Sequence, residues 1–170
     1  MQKILMMASI GCLLLASCGS KVEVPEVASR PSDEEVLIGV NRDIVRNEGT
    51  DIRLLIRRYG WNMQTSASGV YYEITRKGNG SLLKKGDAVQ LKYTLSLLDG
   101  TRIGSSETDG LKTVVIERSD EIVGLQEALK LMHRGDRARL IVPSHLAYGS
   151  IGDGDRIPGF APLVYVLEIL

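Results

Sequence analysis

The spacing of hydrophobic and polar positions changes character four times along the chain. Ile4 to Leu15 form a mainly apolar run of twelve residues behind the positive charge of Lys3. A bilayer span needs about 20 such residues, so this run reads as an export signal occupying residues 1–17. Residues 19–31 keep no periodicity and contain Pro25 and Pro31, the composition of a tether. Thirteen extended residues at about 3.3 Å each reach roughly 43 Å. From Val36 the apolar positions (Leu37, Val40, Ile44, Val45, then Ile52, Leu55, Ile56, Tyr59) fall at helical spacing. Ser32 with Glu35 three positions on supplies a capping box at the start. Gly49 interrupts this pattern, so residues 32–59 are expected to form either two helices or one kinked at 47–50. The apolar stripe needs a cover: the domain that follows, a second copy of the segment in a dimer, or an envelope partner.

After Gly60 the period becomes two. Val70, Tyr72 and Ile74 alternate with Tyr71, Glu73 and Thr75, and Val89, Leu91, Tyr93, Leu95 and Leu97 share one face of a longer strand. Asp99-Gly100 signals a hairpin. Val114–Ile116, Ala138–Val142 and Leu163–Ile169 supply further strands, while Leu125, Ala128, Leu129 and Met132 mark one short helix stopped by Gly135. Antiparallel strands with a helix laid on one face make an α+β domain over residues 60–170.

Composition narrows the functional classes. Lys+Arg and Asp+Glu both number 21, so no charge excess argues for nucleic acid as a partner. Leu15-Ala16-Ser17-Cys18 resembles the lipobox of bacterial lipoproteins. That resemblance implies acylation of Cys18, removal of residues 1–17, and a lipidated cysteine with its tether over 18–31; the alternative is an ordinary signal peptide that contains a cysteine. Cys12 would leave with the signal, so the mature chain would have neither disulfide nor free thiol. Residues 19–24 lack an acidic run, which leans toward a cell-envelope location facing the periplasm. His133 and His145 have no partner at ligand spacing, and no nucleophile elbow, phosphate loop or calcium loop is complete. No metal site and no cofactor are expected.

The C-terminal half carries an ordered set of motifs: Gly124-Leu-Gln-Glu-Ala-Leu129, Gly135-Asp-Arg-Ala138, Ile141-Val-Pro-Ser144, Leu146-Ala-Tyr148-Gly149, Ile157-Pro158 and Leu163-Val-Tyr165, with Leu91-Lys-Tyr93-Thr94 and Asp99-Gly100-Thr101 upstream. Across roughly residues 68–170 this resembles the FKBP-type peptidyl-prolyl cis-trans isomerases. With the lipobox and helical segment, the chain looks most like exported lipoproteins of that family, those described as gliding-motility-associated among them. The resemblance implies a curved antiparallel sheet wrapped around one short helix, and proline-containing polypeptides as partners.

The same resemblance implies catalytic roles for Tyr93 (a pocket wall), the backbone N–H of Ile122, and the hydroxyl of Tyr148. Ile103, Leu125, Ile157 and Tyr165 would contact substrate. Tyr93, Leu125 and Tyr165 would also face inward in any such fold, so core packing explains them equally well. Four positions depart from the family pattern. A Phe-Asp pair at the pocket edge is here Ile103-Gly104, a floor Trp is Leu125, and a strand Phe is Lys112. These departures imply a lost carboxylate and a lost aromatic wall, hence weak or absent turnover. Three functions therefore stand side by side: a lipid-anchored isomerase for exported proteins, a non-catalytic chaperone or binding module, and a structural subunit of an envelope machine.

Overall fold

A computed structural model describes residues 33–170, and the signal, Cys18, the tether and the Ser32 cap lie outside them. Its organising element is the strand whose alternation is plainest. In β3 (Ala88–Leu97), Val89, Leu91, Tyr93 and Leu95 are buried while Ala88, Gln90 and Lys92 face solvent. β3 pairs with β7 (Leu163–Ile169) along one edge, from Leu91↔Ile169 to Leu97↔Leu163. Its other edge is shared: β4 (Arg102–Ser105) takes the end of β3 through the Asp99-Gly100 hairpin, and β5 (Lys112–Val115) takes the start. Between them the chain leaves the sheet for one turn, α2 (Ser106–Asp109). Beyond β7 lie β6 (Arg137–Val142), β2 (Tyr71–Arg76) and the two-residue β1 (Gln64–Thr65), all antiparallel.

The inner face of this sheet wraps α3 (Val123–Leu129). Leu125, Ala128 and Leu129 are fully buried against β3, β6 and β7 in one core with Val70, Met132 and Tyr165. Gly124 permits that seating. A Cβ there would stand 2.3 Å from Val142 Cγ1 and 3.2 Å from Leu146 Cβ, so any larger residue would lift α3 off β6.

The outer face is covered as well. α1 (Asp33–Tyr59) runs as one α-helix through 47–50, so the expected break is absent. Gly49 costs a helix about 1 kcal/mol relative to Ala. That cost is offset because the residues around it dock: Ile52 is buried with Ile141 and Val164, and Leu55, Ile56, Trp61, Met63 and Tyr71 pack around them. Burial of a large aliphatic side chain contributes about 1.5–3 kcal/mol. The cover that the stripe required is therefore, for this half of the helix, the following domain itself. Leu37, Ile38 and Val40 in the first half remain more than 50% or about 50% exposed. No helix among the described residues is long and apolar enough to cross a membrane.

Candidate functional site

The residues proposed from sequence converge on one end of the inner core. Tyr93, Ile103, Leu125, Ile157 and Tyr165 belong to a single buried cluster, with Ile122, Leu146 and Ala147 packed against it. Three tyrosines meet there. The rings of Tyr93 and Tyr165 lie 6.5 Å apart, tilted by 43°. Burial pushes the Tyr165 hydroxyl far above its ordinary pKa, and the nearby Glu121, Tyr148 and Tyr93 push it further. Tyr148 is likewise raised, by burial first and then by Glu121 and Asp153, although it is 38% exposed. Tyr148 thus stands partly exposed beside the buried Tyr165.

Local structure explains each placement. Ile122 precedes α3 in an extended conformation, and its carbonyl accepts the N–H groups of Leu125 and Gln126. Among the described residues no acceptor meets the Ile122 N–H. The segment before it is pinned by Gln126, which is buried. Its Oε1 accepts from the Glu117 N–H at 2.9 Å and its Nε2 donates to the Ser119 carbonyl at 3.2 Å. Sequence reasoning missed Gln126; its only signal was a polar residue on an apolar helix. On the far side, Asp153 accepts from the N–H groups of Asp155 (3.0 Å) and Ile157 (2.7 Å), folding the loop so that Ile157 points into the core. His133 and His145 are exposed, as the absence of partners at ligand spacing suggested.

The departures from the family pattern look different in three dimensions. Gly104 was expected to remove a carboxylate from the pocket edge, but one is present. Asp109, at the end of α2, accepts from the Tyr93 hydroxyl at 3.3 Å and from the Ser105 N–H at 3.0 Å. A Cβ on residue 104 would stand 2.6 Å from Asp109 Oδ2. Glycine at 104 therefore leaves the space that the Asp109 carboxylate occupies. The Ser105 N–H, then Thr108 and Tyr93, hold Asp109 below the usual carboxylate pKa. Arg156 adds attraction and donates to the Ile103 carbonyl, closing this edge.

Lys112, where the resemblance implies an aromatic residue, lies against the Tyr93 ring. Its ammonium lies 5.5 Å from the Tyr93 ring centroid, within cation–π range, and 2.9 Å from Glu121 Oε1. Its aliphatic stem can line the wall while the head stays polar. Leu125, where the resemblance implies Trp, is fully buried and keeps the floor apolar. The result is a closely packed apolar cluster: Tyr93, Ile103, Leu125, Ile157 and Tyr165 are each at most 8% exposed. Its polar edges are a hydroxyl, a backbone N–H, a carboxylate and the Lys112–Glu121 pair.

Known proteins place these features in context. A family model described as FKBP-type peptidyl-prolyl cis-trans isomerase matches residues 80–170. The probable FKBP-type isomerase FkpA of Neisseria meningitidis serogroup B is 37% identical over 108 residues, covering 64% of this chain and 39% of that protein. The macrophage infectivity potentiator of Trypanosoma cruzi is 38% identical over 104 residues, covering 61% and 53%. The crystal structure of FkpA from Escherichia coli superposes with a TM-score of 0.65 at 26% identity, covering 84% of this chain and 73% of that one. The chain thus spans about half or less of the length of these curated relatives.

Proposed function

The chain belongs to the FKBP-type peptidyl-prolyl cis-trans isomerase family, and from that premise we propose that it catalyses prolyl isomerisation while anchored to a membrane by lipid on Cys18. The observation that supports the activity is the apolar cluster of Tyr93, Tyr165 and Ile122 with Tyr148 partly exposed beside it, where an apolar hollow would receive the proline ring. An Xaa-Pro bond favours trans by only about 0.5–1 kcal/mol, yet isomerises over tens to hundreds of seconds. The barrier, about 18–20 kcal/mol, is the loss of amide resonance on twisting. No proton needs to leave or arrive.

Two features of the site lower that barrier. An apolar hollow that receives the proline ring disfavours the charge-separated planar amide more than the twisted one. Donors fixed at the rim, the Ile122 N–H and the Tyr148 hydroxyl, can bind the substrate's carbonyls better in the twisted geometry. The Asp109 carboxylate fixes the Tyr93 hydroxyl and so the wall between them.

The anchor and location rest on sequence: Leu15-Ala16-Ser17-Cys18 supports acylation, and the tether of 18–31 gives the domain reach from the envelope surface. The substrates would be exported or envelope polypeptides that fold near that surface, the domain facing the periplasm. The non-catalytic chaperone reading was motivated by Gly104 and Lys112. Asp109 and the Lys112 stem weaken both motives, so turnover is the stronger reading. The test is cis-to-trans conversion of a short Xaa-Pro peptide by residues 32–170, where a rate equal to buffer alone removes the proposal. Cys18→Ser should release the protein from the membrane fraction; retention there would remove the anchor.

A further inference from the structure

We propose that Glu48, on the helix behind the sheet, is a positioning residue for the loop that carries Tyr148; this rests on the isomerase reading above. Glu48 is 8% exposed, and both its oxygens are committed to one residue far along the chain. Oε1 accepts from the Ser144 N–H at 2.7 Å, and Oε2 from the Ser144 hydroxyl at 2.6 Å. Ser144 opens the turn between β6 and Tyr148. Its own carbonyl accepts the N–H groups of Ala147 (3.0 Å) and Gly149 (2.8 Å), the two residues that flank Tyr148. The Gly149 carbonyl then accepts from the Phe160 N–H at 2.8 Å, which ties in the far limb of the same loop. A continuous set of bonds therefore runs from α1 to both sides of Tyr148.

Docking alone does not call for this acid. Ile52, Leu55 and Ile56 already seat the helix, and a buried carboxylate carries a desolvation cost that apolar contacts avoid. Two short charge-assisted bonds to one residue's backbone and side chain fix orientation as well as position. The matched family span begins at residue 80, so α1 lies outside it. Through Glu48, a segment that looks like a spacer becomes part of the site's support.

The test uses the full chain in detergent, comparing Glu48→Ala, Glu48→Gln, Ser144→Ala and the control Ile52→Ala. Ile52 docks the same helix one turn further on and is 1% exposed, but it belongs to none of these hydrogen bonds. Misplacement of a site element by about 1 Å can cost up to 100-fold in rate. Well below every melting temperature, Glu48→Ala should lower kcat/KM for an Xaa-Pro peptide roughly tenfold and speed hydrogen exchange at the Gly149 amide. Glu48→Gln keeps an acceptor of the same shape and should recover most of the rate. Ile52→Ala should lose stability with kcat/KM within about twofold of wild type. Combining Ser144→Ala with Glu48→Ala should add little to Glu48→Ala alone. Equal losses of rate in Glu48→Ala and Ile52→Ala would overturn the proposal, as would Glu48→Ala with unchanged exchange at Gly149. An inactive wild-type chain removes the isomerase reading instead, and Gly149 exchange still decides whether Glu48 holds the loop.

Discussion

Restoring the floor tryptophan that the family resemblance implies should harm this protein. Leu125 is fully buried on α3, in the same core as Tyr165, at 1% exposure, and the proposed hollow would lie above it. The helix has no slack in which to retreat: a methyl-sized addition at Gly124 would already stand 2.3 Å from Val142. An indole at 125 must therefore either push α3 from β6 or rise into the hollow and fill it. Overpacking of a full core costs about 1–3 kcal/mol. About 2 kcal/mol in a domain of this size lowers the melting temperature by roughly 8 °C. Leu125→Trp should accordingly show that shift in a thermal melt, with kcat/KM for an Xaa-Pro peptide falling in the same protein at 10 °C. An unchanged melting temperature together with a faster reaction would refute the reasoning. It would mean that space lies beneath the hollow and that Leu125 is not its packed floor.

Other expectations follow from the same geometry. Tyr148→Phe should lower kcat/KM about fivefold, the worth of one neutral hydrogen bond, with almost no change in melting temperature because the side chain is partly exposed; an unchanged rate would remove the hydroxyl from the mechanism. Gly104→Asp should be destabilising, since its Cβ meets Asp109 Oδ2 at 2.6 Å, and Asp109→Gly should slow the reaction. The double variant, which moves the carboxylate between the two positions, should recover at least half the wild-type rate, and additive losses would show that the site does not share one carboxylate. Burial first, then nearby acids, hold Tyr93 and Tyr148 above the ordinary 10.0, so both stay protonated through pH 9 and the rate should be flat from pH 6 to 9; a descending limb within that range would contradict it. Because those tyrosine pKa values are raised on folding, the stability they contribute is complete below pH 10 and is lost as pH rises beyond it.

The fold was largely legible because its signals were local. Period-two alternation located β3, and the dipeptide Asp99-Gly100 located the hairpin that follows. What escaped were choices made by contacts between distant segments. Gly49 is a genuine weakness in a helix, and only the docking of Ile52 and Glu48 against β6, β7 and Ser144 explains why α1 continues through it. Glu48 itself had no signal, since a glutamate on a helix usually faces solvent. Of the residues named for the site, the fold brings Tyr93, Tyr165, Ile103, Leu125 and Ile157 into one core cluster, where inward-facing positions of such a sheet and helix would meet in any case. Gly104 reads as a deletion along the chain, whereas in space the one-turn excursion of α2 brings the Asp109 carboxylate beside Gly104 and the Tyr93 hydroxyl.

That substitution bears on what kind of chemistry the site performs. A nucleophile or a general base must sit within hydrogen-bond reach of a particular reacting atom, so moving it five residues along the chain would ordinarily end the reaction. A site that works by shape and by fixed dipoles has a looser demand: an acid must hold the Tyr93 hydroxyl, whichever residue supplies it. Lys112 fits the same logic, since its ammonium over the Tyr93 ring and its ion pair with Glu121 can stiffen a wall that an aromatic side chain would otherwise pack. Rigidity is then what the site needs, and several elements supply it. Gln126 fixes the approach to Ile122, Asp153 folds the loop bearing Ile157, and Glu48 reaches the turn that follows β6 and precedes Tyr148. Each of these side chains accepts from at least one backbone N–H, and so holds a segment beside the tyrosine cluster in place.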